Sequence, residues 1–141
     1  YGLFSHLVRV PVGPMVMIAG GIGITPMISM LRFMAGAGDR RPVTLIWANR
    51  QEQDIVYREE LDALAAVWPG LTVHHVLSRQ PEWCGLTGHI DRPMLEQLLA
   101  PDRLTDHVFL CGPAEMMHAV YRSLRKLGVP RQRIHTERFT L

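Results

Sequence analysis

Three short segments hold the residue types that could do chemistry. The first, Gly20-Gly21-Ile22-Gly23-Ile24-Thr25-Pro26, follows an apolar run and precedes a helical pattern. Small residues there let the backbone come close to a phosphate, and the helix that follows offers free N–H groups to an anion. Its glycine spacing departs from the dinucleotide fingerprint, and it lacks the Lys-Ser/Thr of a nucleoside-triphosphate loop. On its own residues it fits either a phosphate cradle or a tight turn with close helix packing. The second segment is Cys111-Gly112-Pro113-Ala114-Glu115-Met116. A cysteine at the carboxyl edge of a strand places a thiol over the same crevice as the glycine turn, or serves as a small core hydrophobe. The third, Glu137-Arg138-Phe139, is by itself a tail.

The elements that must position these segments alternate along the chain. Met15 to Ala19 is continuously apolar between Gly-Pro and Gly-Gly, as in a strand buried on both faces of a parallel sheet. Met27, Met30, Leu31 and Met34 then recur at helical spacing, with Pro26 in the first turn. Val43 to Ala48 reads as a second strand, and Tyr57, Leu61, Leu64, Ala65 and Trp68 mark the inner face of a helix ending at Pro69-Gly70. Leu71 to Leu77 is a third strand, and Arg79 to Gly88, without periodicity, a loop. Asp91 can cap a short helix with Pro93 in its first turn. His107 to Cys111 is a fourth strand, Pro113 to Leu127 a helix, and Arg133 to Glu137 a final strand. The expectation is a doubly wound α/β fold with a five-stranded parallel sheet, strand order 3-2-1-4-5, and helices on both faces. Ligands of such sheets sit at the carboxyl ends of the strands, where all three segments fall.

Composition narrows the function classes. With 15 Lys+Arg against 13 Asp+Glu the net charge is +2, too balanced to imply nucleic acid. Hydrophobic residues at 48% and charged residues at 20% describe a chain that folds, and 141 residues suit one domain. Two cysteines, Cys84 and Cys111, make no disulfide framework and leave no room for a four-cysteine metal site, which fits a reducing, cytoplasmic setting. His74-His75 on one strand point to opposite faces and cannot share a metal, so no metal site is expected. There is no apolar run of about 18 residues and no signal-peptide pattern, so no membrane contact is expected from this segment itself. Tyr1 is no natural initiator, and the chain reads as a segment of a longer protein. Residues 1–14 fall outside the strand–helix alternation and residues 15–141 form the domain. The methionines Met27, Met30, Met34, Met116 and Met117 read as core. The basic residues Arg40, Arg41, Arg122, Arg125, Lys126, Arg131 and Arg133 read as a solvated face, or as a surface for an acidic electron-transfer partner.

Together, the Gly20–Pro26 turn, Cys111-Gly112-Pro113 with Met116, and Glu137-x-Phe139 resemble the pyridine-nucleotide-binding domain of the ferredoxin–NADP reductase superfamily. Tyr1-Gly2-Leu3-Phe4 is similar to the Gly-x-Phe that ends that family's flavin barrel. The resemblance implies hydride transfer between NAD(P)H and an FAD held by an upstream barrel domain. It implies that Gly20, Gly21, Ile22, Gly23, Thr25 and Pro26 cradle the pyrophosphate and nicotinamide ribose. Cys111, with Gly112, Pro113 and Met116, would pack at the nicotinamide, while Glu137 and Phe139 order its encounter with the flavin. The Arg-x-Tyr-Ser/Thr flavin motif has no counterpart in residues 1–14, so this segment alone should bind nucleotide without turnover. Trp47-Ala48-Asn49-Arg50 and Trp83 to Ile90 are similar to ferric-reductase-like members, whose flavin unit follows a haem-bearing membrane domain. Asn49-Arg50 carries no acid for a ribose hydroxyl until Glu52, and Ser78-Arg79 resembles the pair that holds a 2′-phosphate, which favours NADPH over NADH. Asp54 or Glu52 reaching the ribose is the alternative. Two rival readings stand beside this one. One is a sensing or docking module without electron transfer. The other is a dihydroorotate dehydrogenase-type electron-transfer subunit, which carries C-terminal iron–sulfur cysteines that residues up to Leu141 lack.

Overall fold

The structure, a computed structural model, describes residues 13–138. The expected segment 1–14 and the aromatic Phe139 fall largely or wholly outside that span. Six strands and four helices follow in order: β1 (Met15–Gly20), α1 (Ile24–Gly36), β2 (Val43–Asn49), α2 (Arg58–Val67), β3 (Leu71–Leu77), β4 (Leu86–Thr87), α3 (Arg92–Leu98), β5 (His107–Gly112), α4 (Ala114–Lys126) and β6 (Ile134–Arg138). All strand pairs are parallel and the sheet order is β4-β3-β2-β1-β5-β6.

The five-stranded sheet of order 3-2-1-4-5 is therefore corrected to six strands. The added one, β4, lies in the stretch Arg79 to Gly88 that reads as a loop. Val76 pairs with Leu86 and Leu77 with Thr87, and two residues are too short to show a period of two. Tyr57 is a second correction. It takes φ +58 ahead of α2 and is exposed, so it turns the chain into the helix instead of packing on its inner face. The guanidinium of Arg32 lies over its ring, 5.6 Å from the centroid, and Arg32 Nε also meets Glu60 at 2.6 Å.

β1 lies between β2 and β5 and is buried along its whole length. Its side chains alternate between two cores. Met15, Met17 and Ala19 join Met27, Met30, Leu31 and Met34 of α1, Leu61 of α2 and Trp68. Val16 and Ile18 join Leu95 of α3 with Val120 and Leu124 of α4. A strand with apolar neighbours on both faces has to read as a continuous apolar run, which is why β1 is so plain in the sequence. Trp68 closes the first core, with its indole N–H donating to the Arg41 carbonyl at 2.9 Å.

Helix α3 starts as its sequence implies. Asp91 Oδ1 accepts from the Met94 N–H at 3.0 Å, and Pro93 sits in the first turn. No helix among the described residues is long and apolar enough to cross a membrane. Asp91→Ala is expected to lower unfolding stability by about 1 kcal/mol through loss of that cap, read as a lower urea midpoint at unchanged slope.

Candidate functional site

The register across the carboxyl edge of the sheet sets out the site. Trp47 of β2 lies beside Ala19 of β1, Ala19 beside Cys111 of β5, and Cys111 beside Glu137 of β6. Registered partners in parallel strands share a face, so this row runs under the β1–α1 turn. Above it the chain makes one 3₁₀ turn, Gly21–Gly23, before α1 begins.

Four backbone constraints shape that turn. A Cβ on Gly23 would fall on the Cys111 carbonyl, and it would lie 3.0 Å from the Gly112 nitrogen. A Cβ on Gly20 would collide with Met116 Sδ and come within 3.0 Å of Pro113 Cδ, and one on Gly112 would lie 3.1 Å from the Gly20 nitrogen. Gly21 has φ +52 and faces open space. Its carbonyl accepts from the Trp47 indole N–H at 3.0 Å and from the Ile24 N–H. With that oxygen held by both donors, the trans peptide turns the Ile22 N–H the opposite way.

No side chain caps the start of α1 and no acid stands in its first turn, so the positive end of the helix dipole meets no charge of the chain's own there. By contrast, Asp91 caps α3, and α2 carries Glu59 and Glu60 in its first turn. The start of α4, at Pro113, also lacks a side-chain cap, and Glu115 stands in its first turn. Thr25 is exposed beside the glycine turn and Pro26 is half-buried. Open space over Gly21 and an uncapped helix start fit the pyrophosphate of a dinucleotide.

Cys111 is fully buried, and burial pushes its thiol up to about 11, with the Glu137 carboxylate adding to the shift. At neutral pH the thiol is protonated and no nucleophile, and its side chain packs in the core shared with α1. Met116 is half-buried against Gly20 and Gly112, whereas Met27, Met30, Met34 and Met117 are core.

A second cluster lies at the ends of β2 and β3. The ladder continues past both strands, Ser78 N–H donating to the Asn49 carbonyl at 3.0 Å and Arg79 N–H to the Arg50 carbonyl at 2.9 Å. Arg50 and Arg79 are exposed and enter no ion pair among the described residues. Asn49 Nδ2 is buried without an acceptor. The structure thus brings Gly20–Pro26, Cys111–Pro113, Met116 and Glu137 to one end of the sheet. Asn49, Arg50, Ser78 and Arg79 flank it on the β2–β3 side.

Trp47, named from the sequence only within the Trp47-Ala48-Asn49-Arg50 resemblance, is the residue that holds the β1–α1 turn, a role that sequence reasoning does not give it. Its only signal is an indole N–H on a fully buried strand, which must find an acceptor. Among the described residues no group of three or more His, Cys, Asp or Glu side chains could hold a metal ion.

Gly23→Ala is expected to cost about 3 kcal/mol, because the methyl meets backbone that cannot step aside. Gly21→Ala, strained only by its positive φ, should cost about 1–2 kcal/mol by the same urea titration. Cys111 also links stability to pH. Its thiol ionises more readily in the unfolded chain, so folding stability should fall as pH rises from about 9 to about 11, a fall that Cys111→Ala removes.

The geometry agrees with comparisons to known proteins. Residues 17–122 match the oxidoreductase NAD-binding domain family. The chain is 40% identical over 121 residues to NADH-cytochrome b5 reductase 1 of Pyricularia oryzae, covering 83% of this chain and 39% of that protein. It is 37% identical over 145 residues to ferredoxin–NADP reductase B of Sorangium cellulosum, covering 99% of this chain and 59% of that one. Among solved structures, the cytochrome b5 reductase domain of Ulva prolifera nitrate reductase matches with a TM-score of 0.78 and 33% identity, over 91% of this chain and 49% of that chain. The chain therefore spans well under two thirds of the length of these relatives. With the family matched across the central sheet and both glycine turns, the chain belongs to the oxidoreductase NAD-binding domain family.

Proposed function

We propose that this domain is the nucleotide-binding half of an NAD(P)H:flavin oxidoreductase. The carrying observation is the β1–α1 turn, held open to an anion by Trp47 and fixed backbone-to-backbone against the Cys111 end of β5. One nucleotide spans both clusters. Gly20 to Thr25 hold its pyrophosphate, and Asn49, Arg50, Ser78 and Arg79 hold its adenosine. Cys111, Gly112, Pro113 and Met116 line the nicotinamide end.

A bound reduced nicotinamide supplies a hydride. What the chain contributes is placement, since donor and acceptor must be held roughly 3–3.5 Å apart. A protonated thiol and three backbone-packed glycines exclude water from one side of the ring without offering it a competing nucleophile. The other side is left to an FAD carried by a separate domain preceding residue 15, as residues 1–14 read. Glu137 and Phe139 order that meeting, Phe139 lying outside the described residues.

The relatives' names point to one-electron redox proteins as final acceptors, cytochrome b5 or ferredoxin. A haem-bearing membrane domain in the same polypeptide, or an acidic electron-transfer protein, fits the same chemistry. The free thiols, Cys84 exposed and Cys111 buried, fit a reducing, cytoplasmic setting.

We favour NADPH, because Arg50 and Arg79 are exposed cations without carboxylate partners among the described residues and a guanidinium grips a phosphate bidentately. Calorimetric titration should show Arg79→Ala weakening NADPH by about tenfold more than NADH. Equal losses, or tighter NADH binding by the unaltered protein, would overturn the preference. In the full protein, Cys111→Ala should slow flavin reduction at saturating nucleotide while leaving affinity within a few-fold, as followed by stopped-flow absorbance. An unchanged limiting rate would return Cys111 to the core alone.

A further inference from the structure

The first carboxylate after β2 is Glu52, three residues beyond Asn49. Left open at that edge, it would have two effects on an adenosine bound over the ends of β2 and β3. It would accept from a free ribose 2′-hydroxyl, and it would repel a 2′-phosphate bearing roughly two negative charges.

In the structure it is not open. Glu52 Oε2 accepts from Arg58 Nη1 at 2.7 Å. Its backbone N–H donates to Gln80 Oε1 at 2.8 Å, and the amide nitrogen of Gln80 lies 3.5 Å from Glu52 Oε1. Arg58 is itself held from behind, its guanidinium 5.6 Å from the centroid of the half-buried Trp83 ring. Trp83 packs on the α1–α2 core. The salt bridge draws its partners from the post-β2 turn and the start of α2, and Gln80 comes from the post-β3 turn, so all three elements meet at this carboxylate. The other acid of the turn, Asp54, is committed too, accepting from the Gln51 N–H at 3.1 Å. Among the described residues, the other charged groups outside any ion pair at this edge are the cations Arg50 and Arg79 and one exposed acid, Glu82, two residues beyond Gln80 in the post-β3 turn.

We propose that Arg58 and Gln80 hold the Glu52 carboxylate away from the adenosine 2′ position, so that the Trp83–Arg58–Glu52–Gln80 cluster determines nucleotide specificity by silencing an acid. The inference rests on the reading above that adenosine lies over the ends of β2 and β3. Both charged side chains of the pair are nearly half exposed, 43% for Arg58 and 44% for Glu52. Such a pair adds little to stability, and its weight lies in where it leaves the carboxylate. The arginine that closes the cluster touches no nucleotide and acts as a positioning residue.

The test is calorimetric titration of NADPH and NADH into the full protein and its Arg58→Ala, Arg58→Ala/Glu52→Gln, Gln80→Ala and Arg79→Ala variants, with circular dichroism confirming each fold. Arg58→Ala should weaken NADPH by about fivefold or more and tighten NADH by a few-fold, since a freed carboxylate gains a ribose hydrogen bond. The NADH gain is decisive, because simple loss of a cation would weaken both anionic nucleotides. Adding Glu52→Gln to Arg58→Ala should abolish that gain. Gln80→Ala should move both affinities the same way by a smaller factor. NADH unchanged or weakened by Arg58→Ala, or a gain that persists without Glu52, overturns the proposal. Arg79→Ala separates the two levels of inference. If it spares both nucleotides, the placement of adenosine fails. If it selectively weakens NADPH while Arg58→Ala leaves NADH untouched, the placement stands and only the silencing role falls.

Discussion

Between the β1–α1 turn and the end of β5, two backbones come into contact with no side chain between them. Gly23 lies against the Cys111 carbonyl, and Gly20 and Gly112 approach each other from the same two strands. The shape of this end of the sheet follows from this approach. It sets the distance between an uncapped helix start and a buried thiol, and it does so through peptide groups, which have no rotamers to sample. Trp47 fixes the remaining freedom by holding the Gly21 carbonyl from below. The proposed phosphate cradle and the proposed nicotinamide contact are thereby joined through one rigid corner.

The sheet explains why that corner can be so tight. Each side chain of β1 is buried, with Met15, Met17 and Ala19 packed toward α1 and Val16 and Ile18 toward α3 and α4. Close-packed cores on both faces leave the strand no soft direction in which to relieve a strained contact. Methionine fills much of the α1 side, and its unbranched chain adapts to the irregular space beneath a turn dictated by glycines. At the far end of β5 the sheet carries a different pairing. His107 Nδ1 and His135 Nε2 lie 2.8 Å apart with the rings stacked, and Phe109 stacks on His135. One ring nitrogen must donate and the other accept, so at most one of the two rings is charged while that bond lasts.

Much of this was legible in the sequence, and the parts that were not share a cause. Continuous apolar runs announced β1, β2 and β5, and helical spacing with Pro26, Asp91 and Pro93 marked the helix starts, because burial and capping act on neighbouring residues. The glycine turn and Cys111-Gly112-Pro113 could be read as a site once taken together. What escaped was set by contacts distant in the chain. β4 exists only because Val76 and Leu77 offer it an edge, and two residues carry no period. Tyr57 sits where helical spacing put an inward residue, but the chain spends it on a left-handed turn. Glu52 looked like a carboxylate available to a ribose. Only the fold shows it already engaged, because Arg58 and Gln80 come to it from 6 and 28 residues away.

The two ends of the site are made of different stuff. The corner where we place the nicotinamide is main chain and glycine, and a side chain on Gly23 or Gly112 meets backbone. The edge where we place the adenosine is a handful of exposed side chains, Arg50, Arg58 and Arg79, with the half-buried Glu52 and Gln80, hung on a ladder of backbone hydrogen bonds. On the proposed placement, a lineage exchanges one nucleotide currency for another by altering surface residues one at a time, while the backbone contact of Gly23 and Gly112 with the neighbouring strands stays fixed. Chemistry would then be inherited as backbone, and metabolic allegiance as side chains.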